Sequence, residues 1–261
     1  MITSLQNPTI KQIVKLSKSS ERRAQRLFLL EGARELSLAL QAGYMVTEVF
    51  LCREMFTQSK YPRVLESLHP EIITEISPAV FAKIAYRENS DGVVALAQPK
   101  SHTLNELLLS ENPFLILLEA VEKPGNLGAV LRTADAAAVD AVIICDPQTD
   151  LYNPNVIRSG VGGLFTVQTA VCTSSEALAW LQQHHISIYA AELQAAEFYQ
   201  DIDFRPPSAI VMGTEADGLT DFWLHHATKR IKIPMRGKID SLNVSVSTAI
   251  LTFEAMRQRG F

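Results

Sequence analysis

The sequence predicts an α/β protein in two parts, a small α/β unit at residues 1–105 and a larger unit at residues 106–261 that is built on a mostly parallel sheet. Two observations lead to this prediction. Short apolar runs alternate with helical stretches through the second part, as buried parallel strands and their crossover helices do. A polar stretch with Pro99 and Pro113 at its ends separates the two parts, which is typical of a domain boundary.

The first part begins with a helix. Asn7 and Pro8 have the composition of a helix cap followed by a first-turn proline, and Ile10, Ile13 and Val14 follow at helical spacing. Beyond this helix the apolar period changes repeatedly between that of strands and that of helices. The predicted strands are residues 27–30, 46–51, 71–76 and 92–97, and the predicted helices are residues 34–42, 61–68 and 78–85.

The second part supplies the larger sheet. After a short predicted helix at 104–109, its predicted strands are residues 114–118, 141–145, 166–171, 186–190, 209–212 and 231–233. The last segment, residues 243–259, is predicted as a helix that carries Val246, Ile250 and Phe253 on one stripe and ends in a cationic turn. That stripe packs either inside the chain or against a second subunit, and the pattern is compatible with both.

Composition narrows the class of protein. With 47% hydrophobic and 20% charged residues, the chain is able to bury a sizeable core. No run approaches about 18 uninterrupted apolar residues, and the N-terminus has no apolar signal region, so we expect a cytoplasmic protein without a membrane span. Cys52, Cys145 and Cys172 are isolated and odd in number, which indicates cytosolic thiols rather than a disulfide framework.

The net charge of −4 is divided unevenly along the chain. Residues 1–105 carry 13 Lys/Arg and 10 Asp/Glu, a balance of +3, whereas residues 106–261 carry 11 and 18, a balance of −7. Within the first 26 residues only Glu21 opposes a basic cluster formed by Lys11, Lys15, Lys18, Arg22, Arg23 and Arg26. This cluster is either a phosphate-binding surface or an ordinary solvated helix face.

Two kinds of chemistry find little support. The histidines at 184–185 and 225–226 form adjacent pairs, which point to different sides of a strand or helix, so no metal site is predicted. No GxGxxG pattern follows the first strand of either part, which argues against a nicotinamide-dependent dehydrogenase.

Three loops collect residues that can do chemistry. Ligands of open α/β sheets bind beyond the carboxyl ends of strands, and all three loops follow predicted strands. The first, residues 119–128, enters a helix through Asn126 and its neighbouring glycines, and Arg132 lies one turn inside that helix. Arg132 either holds a phosphate through its fork of donors or pairs with Asp135 three residues on.

The second and third loops are also ambiguous when each is taken alone. In residues 213–219, Gly213 allows close approach of a ligand and Glu215 presents a charge, although a turn followed by a helix cap at Thr220 explains the same pattern. In residues 233–247, Ser241 and Asn243 are either site groups or ordinary caps of the last helix.

Taken in order, the three loops resemble a known family. The patterns Asn-x-Gly-x-x-x-Arg (126–132), Gly-x-Glu-x-x-Gly-Leu (213–219) and Ile-Pro-Met (233–235) with Ser-Leu-Asn-Val-Ser (241–245) resemble the signature motifs of the SpoU (TrmH-like) family. Members of this family transfer a methyl group from S-adenosylmethionine to a ribose 2′-hydroxyl of RNA. The resemblance spans residues 114–259, and Phe28-Leu-Leu-Glu-Gly32 with the basic helix before it resembles the family's ribosomal-protein-like substrate-binding domain. Departures from the family are Thr214, where Asn is common, and Glu119, where Asp is common.

The resemblance implies a fold, a cofactor and site residues. The fold is a parallel sheet with a deep C-terminal trefoil knot, a rare exception to the rule against threading. S-adenosylmethionine would be held near Gly213, Ile233, Met235 and Leu242. The residues implied in catalysis are Asn126, Arg132, Glu215, Ser241 and Asn243. A homodimer is implied as well, with RNA as the macromolecular partner and 23S ribosomal RNA favoured over transfer RNA.

Alternatives remain at this stage. Free guanidinium has a pKa above about 12 and is a poor base, so Arg132 is expected to orient a phosphate and to stabilise the developing alkoxide, with a proton relay to the phosphate as the alternative role. For the whole protein, the rival interpretations are a transfer RNA methyltransferase and a non-catalytic RNA-binding module.

Overall fold

Two compact units make up the chain, Met1–Ser101 with Asp150–Thr166, and His102–Thr149 with Val167–Phe261. A computed structural model describes residues 1–57, 59–86, 90–238 and 241–260. Its strands are β1 (Phe28–Glu31), β2 (Val46–Leu51), β3 (Ile73–Glu75), β4 (Val93–Ala97), β5 (Phe114–Glu119), β6 (Ala141–Cys145), β7 (Thr169–Cys172), β8 (Ser187–Ala191), β9 (Glu197–Phe198), β10 (Ser208–Met212) and β11 (Lys229–Lys232). Its α-helices are α1 (Pro8–Lys15), α2 (Ser19–Gln25), α3 (Ala33–Gln41), α4 (Arg53–Phe56), α5 (Pro78–Ile84), α6 (Pro124–Ala136), α7 (Pro154–Ser159), α8 (Ser174–Gln183), α9 (Asp221–His226) and α10 (Val244–Arg259).

The first unit is a mixed sheet covered by helices. Its strand order is β1-β4-β2-β3, in which β4 runs antiparallel to β1 and β2, and β2 runs parallel to β3. Helix α1 starts as predicted, since the Asn7 side chain accepts a hydrogen bond from the Thr9 backbone and Pro8 occupies the first turn. Ile10 and Ile13 of α1 are buried against the sheet together with Phe81 of α5.

A segment from the middle of the chain completes this first unit. The Tyr152 ring packs on Phe28 with 4.3 Å between ring centroids, and the Phe165 ring packs on Tyr44 with 5.2 Å between centroids. The sequence-based division at residue 105 assigned all of Asp150–Thr166 to the second part, whereas the compact units assign it to the first. The physical reason is this aromatic cluster, which joins residues more than 100 positions apart.

The second unit contains a fully parallel sheet of seven strands in the order β7-β6-β5-β10-β8-β11-β9. Every residue of β5, β6 and β10 is buried, which explains why these strands read as continuous apolar runs rather than alternating ones. Helices α6 and α10 contact each other, as do α8 and α9. The predicted α/β class with a parallel sheet is confirmed.

Several predicted elements differ in detail. Residues 61–68 and 104–109 contain 3₁₀ helices, Pro62–Ser67 and Leu104–Glu106, instead of α-helices. The strand predicted at 166–171 is β7 and starts only at Thr169, because the preceding Gly163–Phe165 forms a 3₁₀ turn. The strand predicted at 231–233 is β11, which covers Lys229–Lys232. Strand β9, only two residues long, has no apolar period and was not predicted.

Helix α10 buries a different face from the one that its apolar stripe suggested. The residues of α10 that are buried are Thr248, Leu251, Thr252 and Ala255. Val246 is 47% exposed and Phe253 is 41% exposed, and Ile250 is partly exposed. The two ends of this stripe therefore lie outside the buried core of the chain. Among the described residues, no helix combines the length and apolarity that a membrane crossing requires.

Candidate functional site

The site lies at the carboxyl edge of the parallel sheet of the second unit. Strands β5, β10, β8 and β11 are neighbours in that order and all run in the same direction. The loops that follow these four strands therefore emerge side by side, as in other open α/β proteins with a ligand at this edge. The segment with the first motif follows β5, the second motif follows β10, and the third runs from the loop after β11 to the start of α10.

The first motif spans the loop after β5 and helix α6. Pro124 occupies the first turn of α6, and Asn126 lies in the same turn. Arg132 lies further along α6 and is exposed. The alternative pairing of Arg132 with Asp135 is wrong, since no ion pair joins them and Arg132 has no ion-pair partner among the described residues. Its guanidinium therefore remains available to an anion.

The second motif is a tight hairpin that follows β10. The backbone N–H groups of Thr214 and Gly218 donate to each other's carbonyl oxygens at 3.0 and 3.2 Å, and Gly218 has a positive φ of 71°. A Cβ on Gly213 would collide with the backbone of Gly218 and Leu219. Glycine is therefore required at 213 by close backbone packing, and at 218 by a left-handed conformation.

A buried carboxylate fixes the end of this hairpin. Glu119, the last residue of β5, is only 4% exposed and accepts hydrogen bonds from the Thr220 backbone at 2.9 Å and from the Thr220 hydroxyl at 2.6 Å. Thr220 occupies the N-cap position of α9, but its side chain makes no capping hydrogen bond there. Thr220 therefore holds the predicted N-cap position, but its hydroxyl donates to Glu119 and makes no capping hydrogen bond.

Glu215 joins all three motifs. Its carboxylate accepts hydrogen bonds from the Asn126 amide at 2.9 Å and from the Asn243 amide, and it forms an ion pair with Lys123. The Lys123 hydrogen bond, followed by that of Asn126, lowers the pKa of Glu215. Glu215 is thus ionised at neutral pH, and its carboxylate binds one cation and two side-chain amides.

Asn243 closes this cluster from the third motif. Its side-chain oxygen accepts from the Ser245 backbone at 3.0 Å and from the Ser245 hydroxyl at 2.6 Å, so it caps α10 as expected. Its side-chain nitrogen donates to Asn126 at 3.1 Å as well as to Glu215. Capping and a place in the site were weighed as alternatives for Asn243, and this residue caps α10 while it also contacts Asn126 and Glu215. Residues 239–240, between the two halves of the third motif, lie outside the described residues.

A cavity of about 460 Å³ opens beside the cluster. All four predicted cofactor-binding residues, Gly213, Ile233, Met235 and Leu242, line it. Glu215 and Ser241 line it too, whereas Arg132, Asn126 and Asn243 are not among its lining residues. The volume lies within the usual range of about 300–1,000 Å³ for small-molecule sites.

The cavity walls suit a cationic ligand with an apolar body. Side chains such as Ile231, Leu251 and Met212 give an apolar surface, and the carboxylates of Glu192, Glu215 and Asp217 outnumber the single lining cation Lys232 among the described residues. S-adenosylmethionine combines a sulfonium, an ammonium and a flat adenine ring, so these residues fit it. Among the described residues, no group of three or more His, Cys, Asp or Glu side chains is arranged to hold a metal ion.

Sequence reasoning missed three residues of the site. Lys123 pairs with Glu215. The feature of the sequence that could have indicated this residue is its position directly before the first-turn proline of a helix. Glu119 and Thr220 form the anchor of the hairpin. The signal for Glu119 was a charge at the end of an otherwise apolar strand, since an ionised side chain is buried only when it is partnered.

A parallel α/β sheet with a ligand cavity and a polar cluster at its carboxyl edge defines an α/β enzyme. Comparison with known proteins identifies the family. Residues 113–253 match the model of the SpoU rRNA Methylase family, and residues 7–95 match the MRM3-like substrate binding domain. The chain belongs to the SpoU rRNA methylase family, as its three motifs predicted.

Relatives resemble the chain over nearly its full length. An uncharacterized tRNA/rRNA methyltransferase of Synechocystis is 32% identical, covering 99% of this chain and 94% of the relative. The 23S rRNA (guanosine(2553)-2′-O)-methyltransferase of Bacillus subtilis is 29% identical, covering 97% of both. Among solved structures, an RNA 2′-O ribose methyltransferase has a TM-score of 0.88 and 41% identity, covering 99% of this chain and 98% of that one. The SpoU methyltransferase AviRb of Streptomyces viridochromogenes, in complex with AdoMet, has a TM-score of 0.88 at 26% identity, covering 97% of this chain and 99% of that one.

Proposed function

We propose that this protein transfers a methyl group from S-adenosylmethionine to a ribose 2′-hydroxyl of 23S ribosomal RNA in the cytoplasm. The observation that carries the proposal is the meeting of Asn126, Glu215 and Asn243, one from each motif, beside a cavity of about 460 Å³. Membership of the SpoU family supports the reaction class. The name of the full-length Bacillus subtilis relative supports ribosomal RNA over transfer RNA.

The cofactor pocket in this proposal is formed by Gly213, Ile233, Met235 and Leu242. When bound there, S-adenosylmethionine supplies an electrophilic methyl group. Ile233 and Met235 would hold its apolar portion, and the close backbone packing at Gly213 would shape the wall against it. We expect the polypeptide around this pocket to form the deep trefoil knot of the family.

In this mechanism Arg132 acts on the substrate. The 2′-oxygen must lose its proton as it bonds to carbon, and the developing alkoxide needs a positive charge nearby. Arg132 is exposed and has no ion-pair partner among the described residues, so it would orient the adjacent phosphate and stabilise the alkoxide. The proton would pass to solvent, or to that phosphate in the alternative role.

The remaining predicted catalytic residues act as supports. The ionised Glu215 would hold Lys123, Asn126 and Asn243 in fixed positions, which keeps the first and third motifs at a constant spacing. Ser241, at the cavity wall, would add a hydroxyl to the bound cofactor or sugar. Such preorganisation reduces the reorganisation needed in the transition state.

The experiment that tests the proposal measures methyl incorporation into 23S rRNA and into transfer RNA from cells that lack this gene. We expect incorporation into 23S rRNA at one ribose, with alkali resistance at the methylated position. Incorporation into transfer RNA alone would show that the substrate is transfer RNA instead of 23S rRNA. Binding of RNA without binding of S-adenosylhomocysteine by calorimetry would favour the non-catalytic module.

Arg132→Ala provides the mechanistic test. Because the guanidinium stabilises charge that develops only in the transition state, we expect kcat to fall by at least about 100-fold while S-adenosylhomocysteine affinity changes by less than about threefold. Arg205→Ala is the matched control, since Arg205 is an exposed arginine of the same unit that pairs with Asp203. Full activity of the Arg132 variant on 23S rRNA would remove this residue from the mechanism.

A homodimer is part of the proposal. Val246 and Phe253 present apolar surface on the outer side of α10, 47% and 41% exposed, while the helix buries its other face within the chain. A second copy of the chain would cover this surface. The exposure of these two apolar side chains on one helix is the support for association.

A further inference from the structure

A second cavity lies within the first unit, which matches the substrate-binding domain model over residues 7–95. It measures about 150 Å³ and is lined by parts of α1, β1, β4, α5 and α7. Its inner wall is apolar, with Ile13, Ile84, Val94 and Ile157 all below 8% exposure. A space of this size is smaller than the usual range of about 300–1,000 Å³ for cofactor sites, and it suits a single flat ring system.

The charged side chains that line this cavity are two cations and the Glu31 carboxylate, so the lining carries more positive than negative charge. Lys83 and Arg158 both line it and both are exposed. Neither cation has a carboxylate partner among the described residues. Two exposed cations without ion-pair partners beside an apolar recess are complementary to a phosphate whose attached group enters the recess.

An aromatic ring completes the mouth. Tyr86 is 54% exposed, and the Arg158 guanidinium lies over its ring at 5.6 Å from the centroid. The Tyr86 backbone N–H donates to the Glu31 carboxylate at 2.6 Å, which holds the backbone of this residue two positions after the end of α5. Stacked tyrosine and guanidinium planes are the surfaces on which unpaired bases bind in RNA-binding proteins.

We propose that this cavity captures one unpaired nucleobase of the RNA substrate, with its base between Tyr86 and the apolar wall and its phosphate on Lys83 and Arg158. This inference rests on the proposed function and adds to it a binding site remote in sequence from the three motifs. According to this proposal, the first unit recognises a single-stranded nucleotide of the RNA and not only the backbone of an RNA duplex.

The test measures binding of the full-length protein to single-stranded RNA ten-mers, oligocytidylate and oligouridylate, by fluorescence anisotropy at several salt concentrations. The variants are Tyr86→Leu and Arg158→Gln. The matched controls are Tyr61→Leu, an exposed tyrosine of the same unit, and Arg34→Gln, an exposed arginine on α3. Thermal melting and S-adenosylhomocysteine affinity establish that each variant is folded.

We expect Tyr86→Leu to weaken oligocytidylate binding about tenfold without changing the salt dependence, since stacking is independent of salt. Arg158→Gln should lower the slope of log K against log salt by about 0.7, the value for one lost phosphate contact on a single strand. In the methylation assay both variants should raise KM for rRNA and leave kcat within about twofold. The two controls should bind like the wild type.

Two results would overturn the inference. The first is unchanged oligonucleotide binding by both variants in a protein that methylates rRNA normally, which would leave the proposed function intact. The second is a loss confined to ribosomal particles, with naked RNA bound normally, which would assign the cavity to a protein partner. Absence of rRNA methylation by the wild type would reject the proposed function, and oligonucleotide binding would still decide whether the cavity captures a base.

Discussion

At the scale of single residues, the Glu215 carboxylate determines the geometry of the site, because it is the common partner of Lys123, Asn126 and Asn243. Its pKa is lowered by the hydrogen bond from Lys123 first and by that from Asn126 second. A group whose pKa is lower in the folded state stabilises that state above its unfolded pKa, and this contribution is lost as the pH falls through the folded pKa. The cluster is therefore intact at neutral pH and dissociates in acid.

Glu215→Gln tests this linkage. Between pH 7 and pH 5 we expect the contribution of this site to the free energy of unfolding to be independent of pH in both wild type and variant. Below about pH 4.3, the ordinary pKa of glutamate, the wild type should lose unfolding free energy that the variant does not lose. Urea unfolding at several pH values measures the difference. Parallel pH profiles of the two proteins down to pH 3 would contradict the assigned pKa direction.

Gly213 and Gly125 form a matched pair for testing backbone packing. A Cβ on Gly213 would collide with the backbone at Gly218, whereas a Cβ on Gly125 meets nothing within 4 Å. Gly213→Ala should therefore destabilise the protein by about 1–3 kcal/mol and weaken S-adenosylhomocysteine binding at least tenfold. Gly125→Ala should leave the free energy of unfolding equal or up to about 1 kcal/mol higher. Equal free energies of unfolding of the two variants in urea would show that the hairpin has room for a Cβ atom at position 213.

At the scale of elements, the sequence predicted well wherever local pattern decides the structure. Strands β5, β6 and β10 are buried on both faces, so their apolar runs are unbroken and easy to place. The cap of α10 at Asn243 was also predictable, because the capping hydrogen bond is local. The same reasoning did not predict the partner of the Thr220 hydroxyl, because this hydroxyl donates to Glu119, which lies 101 residues away in the sequence. Contacts of that kind leave no periodic signal.

The exposed side of α10 leads to a prediction about the oligomeric state of the protein. If Val246 lies in a dimer interface, Val246→Glu places a charge in an apolar contact and should convert the protein from dimer to monomer at micromolar concentration. Arg257→Gln is the control, because Arg257 is exposed on the same helix and pairs only with Glu254 among the described residues. Sedimentation velocity gives the result. A wild type that sediments as a monomer at this concentration would contradict the dimer.

At the scale of the whole molecule, the first unit depends on a segment that lies far along the chain. Arg22, only 4% exposed, bonds to Asp150 at 2.8 Å and also donates to the backbone carbonyls of Leu16 and Ser17 at 2.7 and 2.9 Å. The sequence grouped Arg22 with a basic surface cluster, because charge counts do not distinguish a buried cation from its exposed neighbours. The division of the chain near residue 105 overlooked this segment because its contacts with Phe28, Tyr44 and Arg22 join residues more than 100 positions apart.

Arg22→Met measures how strongly this segment is held. Removing one partner of a buried ion pair leaves the other without compensation, so we expect a loss of about 3 kcal/mol in unfolding free energy. Arg23→Met is the control, since Arg23 is exposed on the same helix and its replacement should change stability by less than about 0.5 kcal/mol. Chemical denaturation of both variants provides the comparison. Equal stabilities would mean that the pair contributes nothing to holding the segment.

The discontinuous first unit also constrains the order of events during synthesis. Its four strands are complete once Ser101 has been made, but Tyr152 and Phe165, which cover Phe28 and Tyr44, follow only with Asp150–Thr166. At roughly 5–20 residues per second, the ribosome needs several seconds to cover the interval. During that time a nascent chain exposes the aromatic surface around Phe28. The packing of Tyr152 and Phe165 on this unit can therefore form only after residues 150–166 have been synthesised, so the first unit is completed late in synthesis.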